Sequence, residues 1–162
     1  MILSERTGKW MMRLFPPFLF SRISLQHFEK DFRGCLVKVN RSLLNINMNR
    51  TIFGGTIFSA CDPFYAILYW QIFARKKIRV QTWLKSAQIR YLKPADTDLF
   101  VRFHLSEEEI AEAEAALNSD KGKFVKSYTI EMINKRGEVC VIAETEVYIR
   151  RVNSSQKELS GF

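Results

Sequence analysis

Residues 55–74 read GTIFSACDPFYAILYWQIFA, and their apolar side chains fall on nearly every side of a helix. A helix that is hydrophobic all round is a buried helix. From Ile57 to Ala74 the run is 18 residues long, close to the length that spans a bilayer. Asp62, Pro63 and Gln71 lie inside it, and a carboxylate at bilayer depth is costly. We therefore expect a helix buried within a soluble protein.

On the C-terminal side the period changes to two. In residues 81–92, Trp83, Ala87, Ile89 and Tyr91 alternate with mainly polar neighbours. Residues 98–105, 124–132 and 139–152 alternate in the same way, as half-buried strands do. SEEEIAEAEAAL, starting at Ser106, predicts a short helix with a capping box from Ser106 to Glu109. On the N-terminal side, residues 23–28 and 34–39 flank the turn EKDFRG and predict a β-hairpin. A long irregular loop rich in asparagine follows, NRSLLNINMNRTIFGG. Such loops in compact domains usually carry function. Strands with one apolar face suit an antiparallel sheet with one solvated side. The simplest way to cover an all-apolar helix is to curl that face around it.

The chain has 162 residues, 47% hydrophobic and 26% charged, which fits one folded domain and excludes dominant disorder. Its net charge of +8 favours anionic partners without choosing among them. Nucleic acid lacks support, with no zinc finger, aromatic RNA-binding motif or long basic helix. Cys35, Cys61 and Cys140 are odd in number and sit in apolar stretches, so we expect free thiols and a cytoplasmic protein. With only His27 and His104 besides, and no ligand spacing, we expect no metal site. KWMMRLFPPFLF, residues 9–20, is broken by Arg13, Pro16 and Pro17 and lacks a small-residue cleavage site. It reads as an amphipathic helix packed on the domain. Peripheral membrane contact through Trp10, Phe15 and Phe18 is the less favoured reading.

Two phrases are more specific. NRTIFGGTIFSACD, residues 49–62, resembles the loop-to-helix entry of hotdog-fold acyl-CoA thioesterases. There a Gly-Gly pair opens the helix and a carboxylate follows some two turns on. KSAQIRYLKPA, residues 85–95, is similar to their next strand, which ends in an apolar-Arg/Lys-Pro-Ala phrase. The likeness spans residues 24–152 or so and is nearest to a thioesterase-like branch similar to the phenylacetyl-CoA and 4-hydroxybenzoyl-CoA enzymes. It implies an α+β hotdog fold, an antiparallel sheet around a long central helix, over residues 23–152; the residues themselves read as an N-terminal helical extension over 1–22 and a flexible tail over 153–162. It also implies a homodimer, with further pairing to a tetramer left open.

The candidate residues each carry two readings. Gly54 and Gly55 let a backbone approach a ligand, and helix-start amides there would polarise a carbonyl; the alternative is a tight turn. Asp62 is, by the resemblance, the general base or nucleophile; by local rules Asp-Pro is a helix cap with the helix starting at Pro63. Its apolar neighbours suggest a buried carboxylate. Gly54 and Asp62 are eight residues apart, roughly 12 Å along one helix, so the resemblance implies that two subunits share the site. The family's frequent His before Gly-Gly is Phe53 here. Asn49 and Asn47 are the polar substitutes in reach, or turn formers. Thr56 and Ser59 precede Asp62 on similar faces, or back-bond to their own helix. Arg90 and Lys93, with the cluster at residues 75–79, suit the phosphates of coenzyme A, or a solvated turn. Coenzyme A would enter only as part of the substrate, and no other cofactor is expected. A non-catalytic hotdog protein binding an acyl or aromatic ligand is the second functional reading.

Overall fold

The computed structural model describes residues 1–152, so the tail expected over 153–162 lies outside the described residues. The Ser4 hydroxyl accepts from the Thr7 amide at 3.1 Å and opens helix α1, Glu5–Leu14. Pro16 opens the short helix α2, Pro16–Phe20, a position where its missing N–H costs nothing. Strands β1, Ile23–Phe28, and β2, Gly34–Val39, pair antiparallel around a 3-10 turn. A loop over 40–53 leads to helices α3, Gly54–Ser59, and α4, Phe64–Arg75. Then come β3, Val80–Tyr91, β4, Leu99–His104, helix α5, Glu107–Asn118, β5, Lys123–Asn134, and β6, Val139–Arg151. The six strands form one antiparallel sheet in the order β1-β2-β4-β5-β6-β3. The capping box at Ser106 and Glu109 is present as expected.

Helix α4 lies on the sheet's apolar face. Phe64, Leu68, Tyr69 and Phe73 are fully buried. The Phe64 ring lies 5.0 Å from Phe103 on β4, and Tyr65 stacks on Tyr128 of β5 at 3.8 Å. Tyr69 and Tyr128 share a hydroxyl hydrogen bond of 2.6 Å in the core. Gln71 is buried as well, and its side-chain oxygen accepts from the Leu3 amide at 2.9 Å, which ties the N-terminus down. Among the described residues no helix is long and apolar enough to cross a membrane. The three cysteines are free and buried.

Three local expectations are corrected. The helical run does not begin at a single point: it starts at Gly54, breaks over residues 60–63, and restarts at Phe64. Pro63 has no N–H for the carbonyl four residues back, and its ring crowds that carbonyl. The Ala60 and Cys61 amides turn back to close α3, and α4 opens with the Ile67 amide donating to the Pro63 carbonyl at 2.9 Å. Asp62 makes no side-chain cap for α4. Second, Trp83 does not share a face with Ala87, Ile89 and Tyr91. A bulge between Leu84 and Ser86 shifts the register, so that Leu84 opposes Val147, and Ala87 and Ile89 oppose Thr145 and Ala143. One extra residue reverses the side-chain phase, and Trp83 instead stacks on Tyr148. Third, Phe18 does not reach outward; it is buried and stacks on Phe64 at 5.6 Å.

Candidate active site

The loop before α3 is held by two asparagines. Asn45 is buried; its amide nitrogen donates to the Ser21 and Asn40 carbonyls, and its side-chain oxygen accepts from the Ser42 amide. Its backbone carbonyl accepts from the Phe53 amide at 2.7 Å. Asn47 accepts from the Asn49 and Thr51 amides and donates to the Thr51 hydroxyl. Its polar groups are thus spent on the turn, an arrangement asparagine favours. The Ile52 amide donates to the Ala95 carbonyl, fastening the loop to the segment after β3.

That bracing sets where α3 begins. Phe53 is its N-cap and offers no side-chain hydrogen bond to the first turn. The helix-start amides of Gly54 and Gly55 carry the partial positive charge of such a terminus. The Tyr91 hydroxyl, at the end of β3, donates to the Gly54 carbonyl at 3.0 Å. A Cβ on Gly54 would lie 2.9 Å from that hydroxyl, and one on Gly55 would lie 2.4 Å from the Phe53 ring. A side chain at either position would have to push aside the Tyr91 hydroxyl or the exposed Phe53 ring. A groove of about 800 Å³ opens here, lined by Asn47, Asn49, Gly54, Ile57, Tyr91 and Lys93 among others.

Asp62 lies off this groove, on the turn between α3 and α4. The expected burial is absent in one chain: Asp62 is exposed. The helix break explains this, because the residue before Pro63 sits on a turn and not on the inner face of a continuous helix. Partial burial still pushes its carboxyl above the usual carboxylate range. Ser59 does not reach toward it; its hydroxyl donates to the Gly55 carbonyl at 2.9 Å, within its own helix. Thr56 is buried and Phe53 is exposed. Arg90 stands 3.8 Å from Glu144, and Lys93 stands 2.8 Å from Glu138. Arg75 pairs with Glu5 and Asp31, and Lys76 with Glu114, so half of the basic cluster after α4 is already neutralised. Burial pushes the Cys61 thiol up to about 12, too high for a thiolate nucleophile. His104 is exposed beside Glu29.

The structure thus brings Gly54, Asn47, Asn49 and Lys93 to one groove and leaves Gly55, Thr56, Asp62, Ser59, Phe53 and Arg90 out of its lining. The residue that sequence reasoning missed is Tyr91. Its signal was an aromatic side chain with a polar tip at the end of a strand, which alternation alone reads as core.

Residues 4–149 match the family described as Domain of unknown function (DUF4442). No curated protein matches the sequence significantly. Among solved structures, PA5026 from Pseudomonas aeruginosa, a "Probable Thioesterase" of unknown function, is similar with a TM-score of 0.81 and 17% identity over 94% of this chain and 99% of that one. Thioesterase HI1161 from Haemophilus influenzae has a TM-score of 0.67 at 6% identity, covering 96% of both chains. The PaaI protein of the E. coli phenylacetic acid degradation operon has a TM-score of 0.58 at 13% identity, covering 91% and 92%. Identities this low carry the fold and not the reaction. The sheet order, the helix on its apolar face and these likenesses give a thioesterase-like hotdog fold, and the chain belongs to the DUF4442 family.

Proposed function

We propose that the protein is a homodimeric thioester hydrolase acting on a fatty-acyl or aromatic acyl-CoA. The observation that carries this reading is the groove at the start of α3, with Gly54 in its wall and uncapped first-turn amides beside it. A thioester carbonyl seated there accepts hydrogen bonds from the Gly54 and Gly55 amides, which stabilise the oxyanion as it forms. Water is activated by Asp62 of the partner subunit, which takes its proton as the oxygen attacks the thioester carbon. The tetrahedral intermediate then collapses, the carbon–sulfur bond breaks, and the thiolate leaves with that proton. Asn49 and Lys93 line the groove; in this reading Asn49 holds the water or the acyl group, and Lys93 turns from Glu138 to the coenzyme A phosphates.

Pairing supplies what one chain lacks. Among the described residues the 12-residue strand β3 ends the sheet with its outer edge unpaired, and a long unpaired edge is a template for another strand. Tyr91 at the end of β3 and Leu92 just after it are exposed. In this reading a second copy paired along that edge brings its Asp62 to the groove, and burial there would raise further a carboxyl already shifted upward. Buried free thiols fit a cytoplasmic setting.

The test is release of free thiol from a panel of acyl-CoAs at dimer concentration, with Asp62→Asn alongside. No turnover above buffer, a strictly monomeric protein, or an Asp62→Asn variant as active as the parent defeats the reading. One observation favours a non-catalytic binding protein instead: Phe53 stands where a polar residue is common, and Asn47 is occupied by its turn. Ligand-dependent melting without thiol release would select that alternative.

A further inference from the structure

Helix α1 buries one side, and its outer side mixes cations with apolar tips that continue onto α2. Gly8, Met12 and Phe18 face the core. Trp10 and Leu14 project the other way, 52% and 64% exposed, and Phe20 at the end of α2 is 70% exposed. The loop after β2 carries a second group of outward apolar tips: Leu43 is 87% exposed, Leu44 71%, and Met48 fully so. Asn45 joins the two groups. Its side-chain amide donates both to the Ser21 carbonyl, at the end of α2, and to the Asn40 carbonyl, at the start of the loop. The Asn40 amide also donates to the Arg22 carbonyl at 3.0 Å. Leu43 and Leu44 are therefore held beside the exposed end of α2.

Cations surround these tips. The side chains of Arg6, Lys9, Arg13, Arg22 and Arg50 have no carboxylate partner among the described residues, while Arg41 donates its guanidinium to the Arg50 carbonyl and its amide to Asp98. The acids of this region are engaged elsewhere: Glu5 and Asp31 hold Arg75, and Asp98 holds Lys38 and Lys135. Protruding apolar tips with an uncompensated positive surround match an anionic lipid interface, where tips enter the acyl boundary and cations meet headgroups. Trp10 is the residue type that settles at that boundary. A protein partner would need a separate pocket for each fully extended tip; a bilayer needs none. Helix α1 packs on β1, the edge strand opposite β3, so pairing of two copies along β3 leaves it open.

We propose that α1, α2 and the loop over 41–50 form a docking surface for anionic membranes. The same loop carries Asn47 and Asn49 into the groove wall, so docking brings the groove's mouth to the bilayer, where long-chain acyl thioesters partition. Only that delivery rests on the hydrolase reading; vesicle binding does not.

The full chain is sedimented with extruded vesicles of phosphatidylglycerol and phosphatidylcholine, and with phosphatidylcholine alone. Binding to the anionic vesicles is expected to be about tenfold or more tighter than to the neutral ones, and to weaken in high salt. Leu43→Ser/Leu44→Ser and Lys9→Glu/Arg13→Glu should each weaken it about tenfold with melting temperature held, since these side chains lie outside the core. No binding to anionic vesicles overturns the proposal. So does full binding by the Leu43→Ser/Leu44→Ser variant, which would mark a general polyanion surface. A changed oligomeric state with vesicle binding intact also overturns it, because the face would then join copies of the chain. A protein that binds vesicles but releases no thiol keeps this surface and loses the hydrolase reading; the converse result does the reverse.

Discussion

The Tyr91 hydroxyl and the Gly54 carbonyl are joined by a 3.0 Å hydrogen bond across 37 residues of sequence. It fixes the first residue of α3 against the end of β3, and so sets the wall of the groove. Tyr91→Phe keeps the ring and removes this bond. We expect a stability loss of no more than about 1 kcal/mol, since the partners are solvent-accessible. Gly54→Ala pushes the hydroxyl aside, because its Cβ would stand 2.9 Å away. Turnover should fall further than stability does in both variants. Thermal melting and thiol release on the same samples separate the two effects.

Among the described residues no side chain pairs with Asp62 to hold the fold together, so its replacement should separate activity from stability. Asp62→Asn should lower turnover by about 100-fold or more, the usual scale for a lost general base. Its carboxyl pKa is raised by partial burial. The sign follows: the folded state binds the proton more tightly, so stability is greatest below the unfolded value and declines as pH rises through the folded one. Asp62→Asn should therefore be as stable as the parent or more so at neutral pH, with any gain vanishing below pH 4 or so. Turnover of the parent should rise as pH climbs through the shifted value. A flat pH profile in acid would contradict the assignment.

Asp98 shows the opposite linkage. Burial pushes its carboxyl up, but hydrogen bonds from Lys38, the Arg41 amide and Lys135 outweigh that and hold it at about 2. The stabilisation is present above the ordinary Asp value and is lost as pH falls from there toward about 2. Asp98→Asn should cost about 1–2 kcal/mol at neutral pH, discounted for solvent screening, and should loosen the start of the 40–53 loop. Denaturant melts at neutral pH and near pH 2 check this; the two proteins should converge at the acid end.

The Tyr69–Tyr128 hydroxyl pair lies buried, with an oxygen–oxygen distance of 2.6 Å. Removing one hydroxyl strands the other. Tyr69→Phe should cost about 1–3 kcal/mol, whereas the double variant with Tyr128→Phe should recover part of that loss. A double-mutant cycle by denaturant unfolding measures the coupling; additive losses would contradict a shared bond.

The strands, the capped helix α5 and the buried α4 were legible because each rests on local periodicity. Alternation in β5 and β6 and the Ser106 cap depend on residues a few positions apart. Gly-Gly and Pro63 likewise marked a helix start and a break, since both act on their own backbone. What a linear reading could not resolve was long-range. The bulge after Leu84 arises from pairing with β6, and it alone decides that Trp83 leaves the face of Ala87 and Ile89. Asn47 read in sequence more as a turn former than as a ligand group, but only its partners at Asn49 and Thr51 settle the turn role. Asp62 reads as buried among apolar neighbours in sequence, yet the α3–α4 turn carries it to the surface. Sequence alone determined which segments are helix or strand and which residue types could do chemistry. Only the tertiary structure decided which of them meet, because contacts such as Tyr91 with Gly54 join groups that local propensity never compares.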